Sequence, residues 1–266
     1  MGGCQDEFAE GEWERLDRDP VRRLEFRGTV DDLDEHLPAG GRVLDAGGGP
    51  GRYAIWLAGR GHEVSHCDLS GEQVRIAREK AAEHGGADAV ECRQADLRAL
   101  PYPDDSFDAV CSLGGALSHV LDGGERATAV DELVRVARPG APVAVSVIGL
   151  LGAVVYGIRH ETGQAGILPE LLATGDYTAD LLARHDADGW AEAHYFRVDE
   201  FESLLSSRGL SVERIIGLEG PATATRPELE GADEDARAAV RDVVESLRDD
   251  RAAAEFSEHV LAVARV

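Results

Sequence analysis

The chain has 266 residues, 43% hydrophobic, with 51 acidic against 27 basic residues and a formal net charge of −24. That length fits one larger α/β domain, and Cys4, Cys67, Cys92 and Cys111 lack the C-x-x-C spacing of a metal site or disulfide framework, so no metal is predicted. The acidic surplus disfavours nucleic acid, whose phosphates need a positive field. The apolar stretch 143–155 is broken by Ser146, Gly149 and Gly152 and is too short to span a bilayer, so no membrane partner is expected.

Among the 27 basic residues Lys80 is the one lysine. Acid-rich, lysine-poor surfaces suit high ionic strength, where salt screens self-repulsion. A GC-rich gene would also favour arginine, but would not produce this acidic balance. The composition therefore predicts a halophilic protein, and the lack of a signal-peptide pattern predicts a cytoplasmic one. Dilution from molar potassium chloride into low-salt buffer is expected to unfold it. Circular dichroism checks this, and full stability in dilute buffer would contradict the halophile reading.

In chain order, residues 1–38 read as an N-terminal helical cap containing Trp13 and the run Arg23-Leu24-Glu25-Phe26. Val43 to Arg52 follows as strand, glycine turn and helix start, with Gly47, Gly49 and Gly51 leaving backbone amides open to a ligand. A dinucleotide turn, G-x-G-x-x-G, would need glycine where Arg52 stands, which disfavours NAD or FAD. A second strand, 63–68, ends in Asp68, 23 residues after Asp45. An acid at this strand end can accept both ribose hydroxyls, with a solvated carboxylate as the alternative. Ser70 and Gln73 form a capping box for a helix that Gly85-Gly86 stops.

Residues 89–93 are a third strand, followed by Asp96 and Leu97. Residues 107–113 are a fourth, whose end through His119 should rim a pocket, because open α/β sheets bind ligands at the carboxyl ends of their strands. An Asn/Asp-Pro-Pro-aromatic motif is absent there, which argues against methylation of amino groups on nucleic-acid bases. A helix over 125–138, a fifth strand over 143–148, a helix over 200–207 opened by an Asp199–Glu202 capping box, a sixth strand over 210–218, an acidic helical segment over 233–251 and a last strand from 259 complete the pattern.

These segments resemble a class I S-adenosylmethionine (SAM)-dependent methyltransferase over about residues 10–148 and the C-terminal strands. The nearest likeness is to glycine N-methyltransferase-like small-molecule enzymes, through the Leu113–His119 spacing and the separation of Arg23 from Asp45. The resemblance implies a Rossmann-like α/β fold. It has a mostly parallel seven-stranded sheet with helices on both faces, an N-terminal helix, and an insertion after strand 5. Its parts are the cap at 1–38, a cofactor-binding core at 39–148, a substrate or lid insertion at 150–195, and C-terminal helices and strands at 196–266. The last strand is antiparallel in the family.

The implied cofactor is SAM, and the implied contacts are Trp13, Arg23, Asp45, Ala46, Gly47, Gly49, Gly51, Asp68, Leu69, Asp96, Leu97, Leu113 and His119. Trp13 would cap the sulfonium, Arg23 would take the carboxylate, Asp96 the adenine amino group, and Leu97 the ring face. The asparagine that the family places after the leucine-glycine pair is Gly115 here, which puts glycine as substrate in doubt. In the insertion, which also holds Tyr177 and Trp190, Tyr156 and His160 are candidates for substrate contact. So are His194, Tyr195 and Arg197 at its end. His119, His194 and Tyr195 are the candidate catalytic residues.

The expected activity is methyl transfer to an N, O or C nucleophile of a small molecule. A nicotinamide-dependent oxidoreductase and a non-enzymatic SAM-binding regulator are the alternatives. An RNA methyltransferase is disfavoured by the charge and by the lack of an RNA-binding module.

Overall fold

Alternating side chains along the central strands set the architecture, because successive residues of a strand face opposite sides of the sheet. A computed structural model describes residues 11–187, 189 and 191–266. Cys4 and Trp190 lie outside the described residues.

The strands are β1 (Gly41–Ala46), β2 (His62–Asp68), β3 (Val90–Gln94), β4 (Ala109–Ser112), β5 (Pro142–Ile148), β6 (Asp176–Tyr177), β7 (Ala193–His194), β8 (Ser211–Gly217) and β9 (His259–Arg265). Seven form one sheet in the order β3-β2-β1-β4-β5-β9-β8. All its pairings are parallel except those of β9, which runs antiparallel to β5 and β8. This is the Rossmann-like arrangement that the motifs imply.

The helices are α1 (Pro20–His36), α2 (Arg52–Gly59), α3 (Gly71–Glu83), α4 (Gly123–Val136), α5 (Leu150–His160), α6 (Leu168–Thr174), α7 (Ala179–Arg184), α8 (Val198–Ser207), α9 (Arg226–Glu230), α10 (Glu234–Ser246) and α11 (Arg251–Glu255). Val43 of β1 packs into the layer holding Tyr53 and Leu57 of α2 and Val74 and Ala77 of α3. Its neighbour Leu44 packs the other way, with Leu133 of α4 and Phe201 and Leu205 of α8. Along β9, Val260, Ala262 and Ala264 join that second layer, while Leu261 joins the first. Burial on both faces is why these strands read as continuous apolar runs.

Three local expectations differ from the structure. Strand β4 begins at Ala109, because Phe107 makes an isolated bridge to Ala137 beside α4. The acidic stretch 233–251 is two helices, because Asp250 accepts from the amides of Ala252 and Ala253 and starts α11 afresh. Asp199 and Glu202 do not form a capping box. Both meet Arg251, and the amide of Val198 at the start of α8 donates instead to Glu255, 3.0 Å away. The Ser70 cap on α3 is present, its hydroxyl accepting from the Gln73 amide at 3.3 Å.

Between β5 and α8 the chain leaves the sheet. Helices α5, α6 and α7 and the β6–β7 pair build a small separate core from Ile148, Leu150, Ile167, Leu171, Tyr177, Leu181 and Tyr195. This core stands over the carboxyl edge of the parallel strands. Among the described residues, no helix is long and apolar enough to cross a membrane.

Candidate active site

The glycine turn after β1 is bent by Gly47, Gly49 and Gly51, at φ +71°, +55° and +85°, a region side chains other than glycine enter at a cost. A Cβ on Gly47 would lie 2.6 Å from the Ala116 methyl, and one on Gly51 3.0 Å from that of Ala77. One on Gly49 would meet nothing within 4 Å. Gly49 therefore borders open space, and its amide donates to Asp68 Oδ2 at 2.9 Å. The other oxygen of Asp68 accepts from the Ser70 amide at 2.8 Å. The carboxylate is thus held at the rim of the turn.

Beside it runs a cavity of about 1230 Å³, above the ~300–1,000 Å³ of pockets for one drug-sized ligand. One end is lined by Gly47, Gly49, Asp68, Leu69, Asp96, Leu97 and Leu113. Leu69 is 62% exposed, a large apolar side chain left bare on a pocket wall. Asp96 is gripped by Arg98, whose Nη2 donates at 2.6 Å and whose guanidinium holds the carboxyl below its ordinary range. The other end is the inner face of the insertion, with Ile148, Tyr156, Ile167, Leu171, Tyr177 and Tyr195. Tyr177 and Tyr195 stack with centroids 5.6 Å apart and planes at 13°.

A buried charged cluster floors the cavity. Arg15 donates through both terminal nitrogens to Glu25 of α1, at 2.6 and 2.8 Å, and through Nε to Glu12. Glu25 is 1% exposed. Burial pushes its carboxyl up, but Arg15 and His259 outweigh that and hold it down at about 2. His259 opens β9, with Nδ1 2.7 Å from Glu219 Oε1 and 3.6 Å from Glu25 Oε2. Burial pulls its imidazole down, yet the Glu25 and Glu219 carboxylates raise it to about 9. Glu219 is itself fixed by the His259 amide at 2.8 Å and the Ser257 hydroxyl at 2.7 Å. Glu25, Glu219 and His259 bring three ligand atoms within 4.8 Å of one another. A metal there would have to displace the Arg15 fork from Glu25.

Residues 43–140 match the family described as a methyltransferase domain. Residues 43–140 thus form a methyltransferase domain, on the fold of the class I SAM-dependent methyltransferases. It is 36% identical over 137 residues to the methyltransferase GfsG of Streptomyces halstedii, a match covering 50% of this chain and 48% of that protein. It is 35% identical over 128 residues to the ubiquinone/menaquinone biosynthesis C-methyltransferase UbiE of Hahella chejuensis, covering 47% and 49%. The chain thus spans about half the length of these curated relatives. In fold it is similar to an S-adenosylmethionine-dependent methyltransferase from Mesorhizobium loti, with a TM-score of 0.60, 24% identity and coverage of 91% and 100%.

Within this methyltransferase domain, the residues expected at the cofactor separate into two groups. Gly47, Gly49, Asp68, Leu69, Asp96, Leu97, Leu113 and His119 border the cavity. Trp13, Arg23, Asp45, Ala46 and Gly51 do not line it. Asp45 is fully buried, 3.1 Å from the equally buried His66, its partner in the β1–β2 register. The Trp13 ring covers the Arg52 guanidinium at 4.9 Å and so faces an arginine of the protein itself. Arg52 also lies over Phe26 and donates to Asp17 at 2.6 Å, which accounts for a long side chain beside the turn. Arg23 points outward to the Asp17 carbonyl, and the N-terminal arginines on the cavity are Arg15, Arg18 and Arg22.

Among the candidate catalytic residues, His119 borders the cavity and its Nδ1 meets the Glu192 carbonyl at 2.8 Å. Tyr195 lines the insertion side. His194 is buried outside the cavity, its two ring nitrogens 2.7 Å from Asp176 and 2.8 Å from Glu200. Those contacts tie the β6–β7 pair to α8 and leave neither nitrogen for a substrate. Tyr156 lines the cavity under the Arg226 guanidinium, 5.1 Å away. His160 bonds the Ala224 carbonyl and Arg197 pairs with Glu255, both off the cavity. Sequence reasoning missed Arg15, Glu25, Glu219, Arg226 and His259. The one trace of them was a histidine at the head of the last strand, before the apolar run Val260 to Ala264.

Proposed function

We propose that this chain transfers a methyl group from SAM to a small, largely apolar acceptor. The observation that carries this reading is that one cavity joins the glycine turn and Asp68 to the aromatic wall of the insertion. The donor set suits the cofactor. Asp68 offers carboxylate oxygens to vicinal ribose hydroxyls. Leu69 and Leu97 offer apolar cover to a flat base, and Asp96 an acceptor for its amino group. Arg18 and Arg22 border the cavity where Arg23 does not and offer positive charge for the amino-acid carboxylate, while the Arg15 guanidinium is taken up by Glu25 and Glu12. When bound, the cofactor supplies an electrophilic methyl on a sulfonium. The protein's part is to align the acceptor with that methyl and to exclude water. The relatives' names favour small-molecule acceptors.

Calorimetry in molar potassium chloride tests the reading. S-adenosylhomocysteine is expected to bind and NAD is not. Asp68→Ala is expected to weaken binding more than tenfold, about 1.4 kcal/mol. Binding of NAD without S-adenosylhomocysteine would overturn the proposal, and unchanged affinity in Asp68→Ala would remove that carboxylate from the ribose.

A further inference from the structure

We propose that His259 is the residue that holds the methyl acceptor, and that the group it holds is an acidic hydroxyl, phenolic or enolic, bound as its anion. This rests on the methyltransferase reading above.

Geometry comes first. His259 is paired in register with Ile148 at the carboxyl end of β5, where ligands of open α/β sheets bind. Both residues line the cavity. The imidazole is anchored by Nδ1 on Glu219, which fixes the ring and leaves Nε2 as the atom to meet a ligand. Glu219 cannot swing away, because the Ser257 hydroxyl and the His259 amide hold one of its oxygens while the ring holds the other.

Charge selects the ligand. Glu25 of α1, Glu219 after β8 and the adjacent Glu258 face the imidazole, while Arg15, Arg22 and Tyr53 face Glu25. Arg15 and Glu25, and His259 and Glu219, make two compensated pairs when the imidazole carries its proton, and with its folded-state value at about 9 it does so at neutral pH. The cavity then presents an N–H cation in the same space as a stacked tyrosine pair. A protonated amine would be repelled by that N–H. A phenol or enol fits, because the phenolic pKa of about 10 lies close to that of the imidazole. As the oxygen docks, its proton leaves to water, its electron pair stays on oxygen, and Nε2–H donates to the oxyanion. No oxidant, metal or further reactant is needed.

The test uses the full chain with bound S-adenosylhomocysteine in molar potassium chloride, with 4-nitrophenol and 1,3-cyclohexanedione as probes, at a pH where each probe is protonated in solution. Wild type is expected to bind them with release of about one proton per site, read by calorimetry in buffers of different ionisation heat. The visible band of the nitrophenolate should appear on binding. His259→Gln is expected to lose that band and the proton release while keeping S-adenosylhomocysteine affinity; its melting temperature falls, because Glu25 and Glu219 lose a buried partner, so binding is read at a temperature where circular dichroism shows both proteins folded. Glu219→Gln, a positioning variant, should weaken the band at least tenfold. With SAM present, kcat/KM for a hydroxyl acceptor should fall above about pH 9, as His259 loses its proton, and His259→Gln should lack that limb. Failure of S-adenosylhomocysteine to bind wild type would overturn the methyltransferase reading. Normal cofactor binding with no phenolate band, with the band intact in His259→Gln, or with turnover confined to amines, would overturn this proposal alone.

Discussion

Glu25→Gln is expected to lower stability by about 3–5 kcal/mol, the range for removing one partner of a buried ion pair. Glu25 is fully enclosed and takes both terminal nitrogens of Arg15, so the neutral amide leaves a guanidinium and an imidazolium without their shared counter-charge. Urea denaturation in molar salt measures the loss. Its pH dependence follows from the two groups at the centre. The Glu25 carboxyl is held at about 2, below its ordinary 4.5, so its contribution is present above 4.5 and fades as pH falls toward 2. The His259 imidazole is raised to about 9 from 6.5, so its contribution is present below 6.5 and is lost as pH rises through 9. The wild-type advantage should therefore peak between about 4.5 and 6.5. An equal gap at pH 2.5 and pH 6, or a loss below 1 kcal/mol, would show that the cluster does not stabilise the fold in this way.

Gly48→Ala is the second large effect, and Gly49→Ala beside it is the contrast. A Cβ on Gly48 would stand 2.1 Å from Asp45 Oδ2 and 2.7 Å from His66 Nδ1. Asp45 and His66 are both fully buried and bonded to each other, so neither can retreat without breaking that contact. Overpacking of this kind costs about 1–3 kcal/mol, and disrupting the buried pair adds to it, so a loss of about 3 kcal/mol or more is expected in chemical denaturation. At Gly49 an alanine methyl enters open space, and only the left-handed backbone resists it, at about 1–2 kcal/mol. That methyl would stand beside the amide that holds Asp68. Gly49→Ala is thus expected to fold and to lose at least tenfold in S-adenosylhomocysteine affinity. The reverse pattern, a stable Gly48→Ala with normal binding, would mean the turn relaxes in a way this packing does not allow.

The strands were legible along the chain because each central strand is a short apolar run closed by a turn signal, and because the Ser70–Gln73 cap and the Gly85 stop are local chemistry. The Asp199–Glu202 pattern was equally local and misleading. A carboxylate that suits a helix N-terminus also suits an arginine brought in from a distant helix, and Arg251 is that arginine. Trp13 and Arg23 had the right residue types near the right separation. The N-terminal segment, however, turns Trp13 onto Arg52 and Arg23 onto Asp17, and brings Arg15 to the cavity.

Helix α1 shows why the floor of the site was hidden. Glu25, Thr29 and Asp32 are buried alongside Val21, Val30 and Leu33, so polar residues interrupt the apolar stripe of the buried side. An acid on a helix reads as solvated unless its partner is known, and those of Glu25 are 10 residues away in Arg15 and at the far end of the chain in His259. By itself the sequence determined the strands, the glycine turn, the place of Asp68 at the end of β2 and the likeness to a methyltransferase domain, because periodicity, turn chemistry and motif spacing act over a few residues. Only the tertiary structure decided which arginines face the cavity, that Asp45 is closed off by His66, and that His259 borders the cavity. Burial and charge pairing depend on residues far apart in the chain, and no local pattern records them.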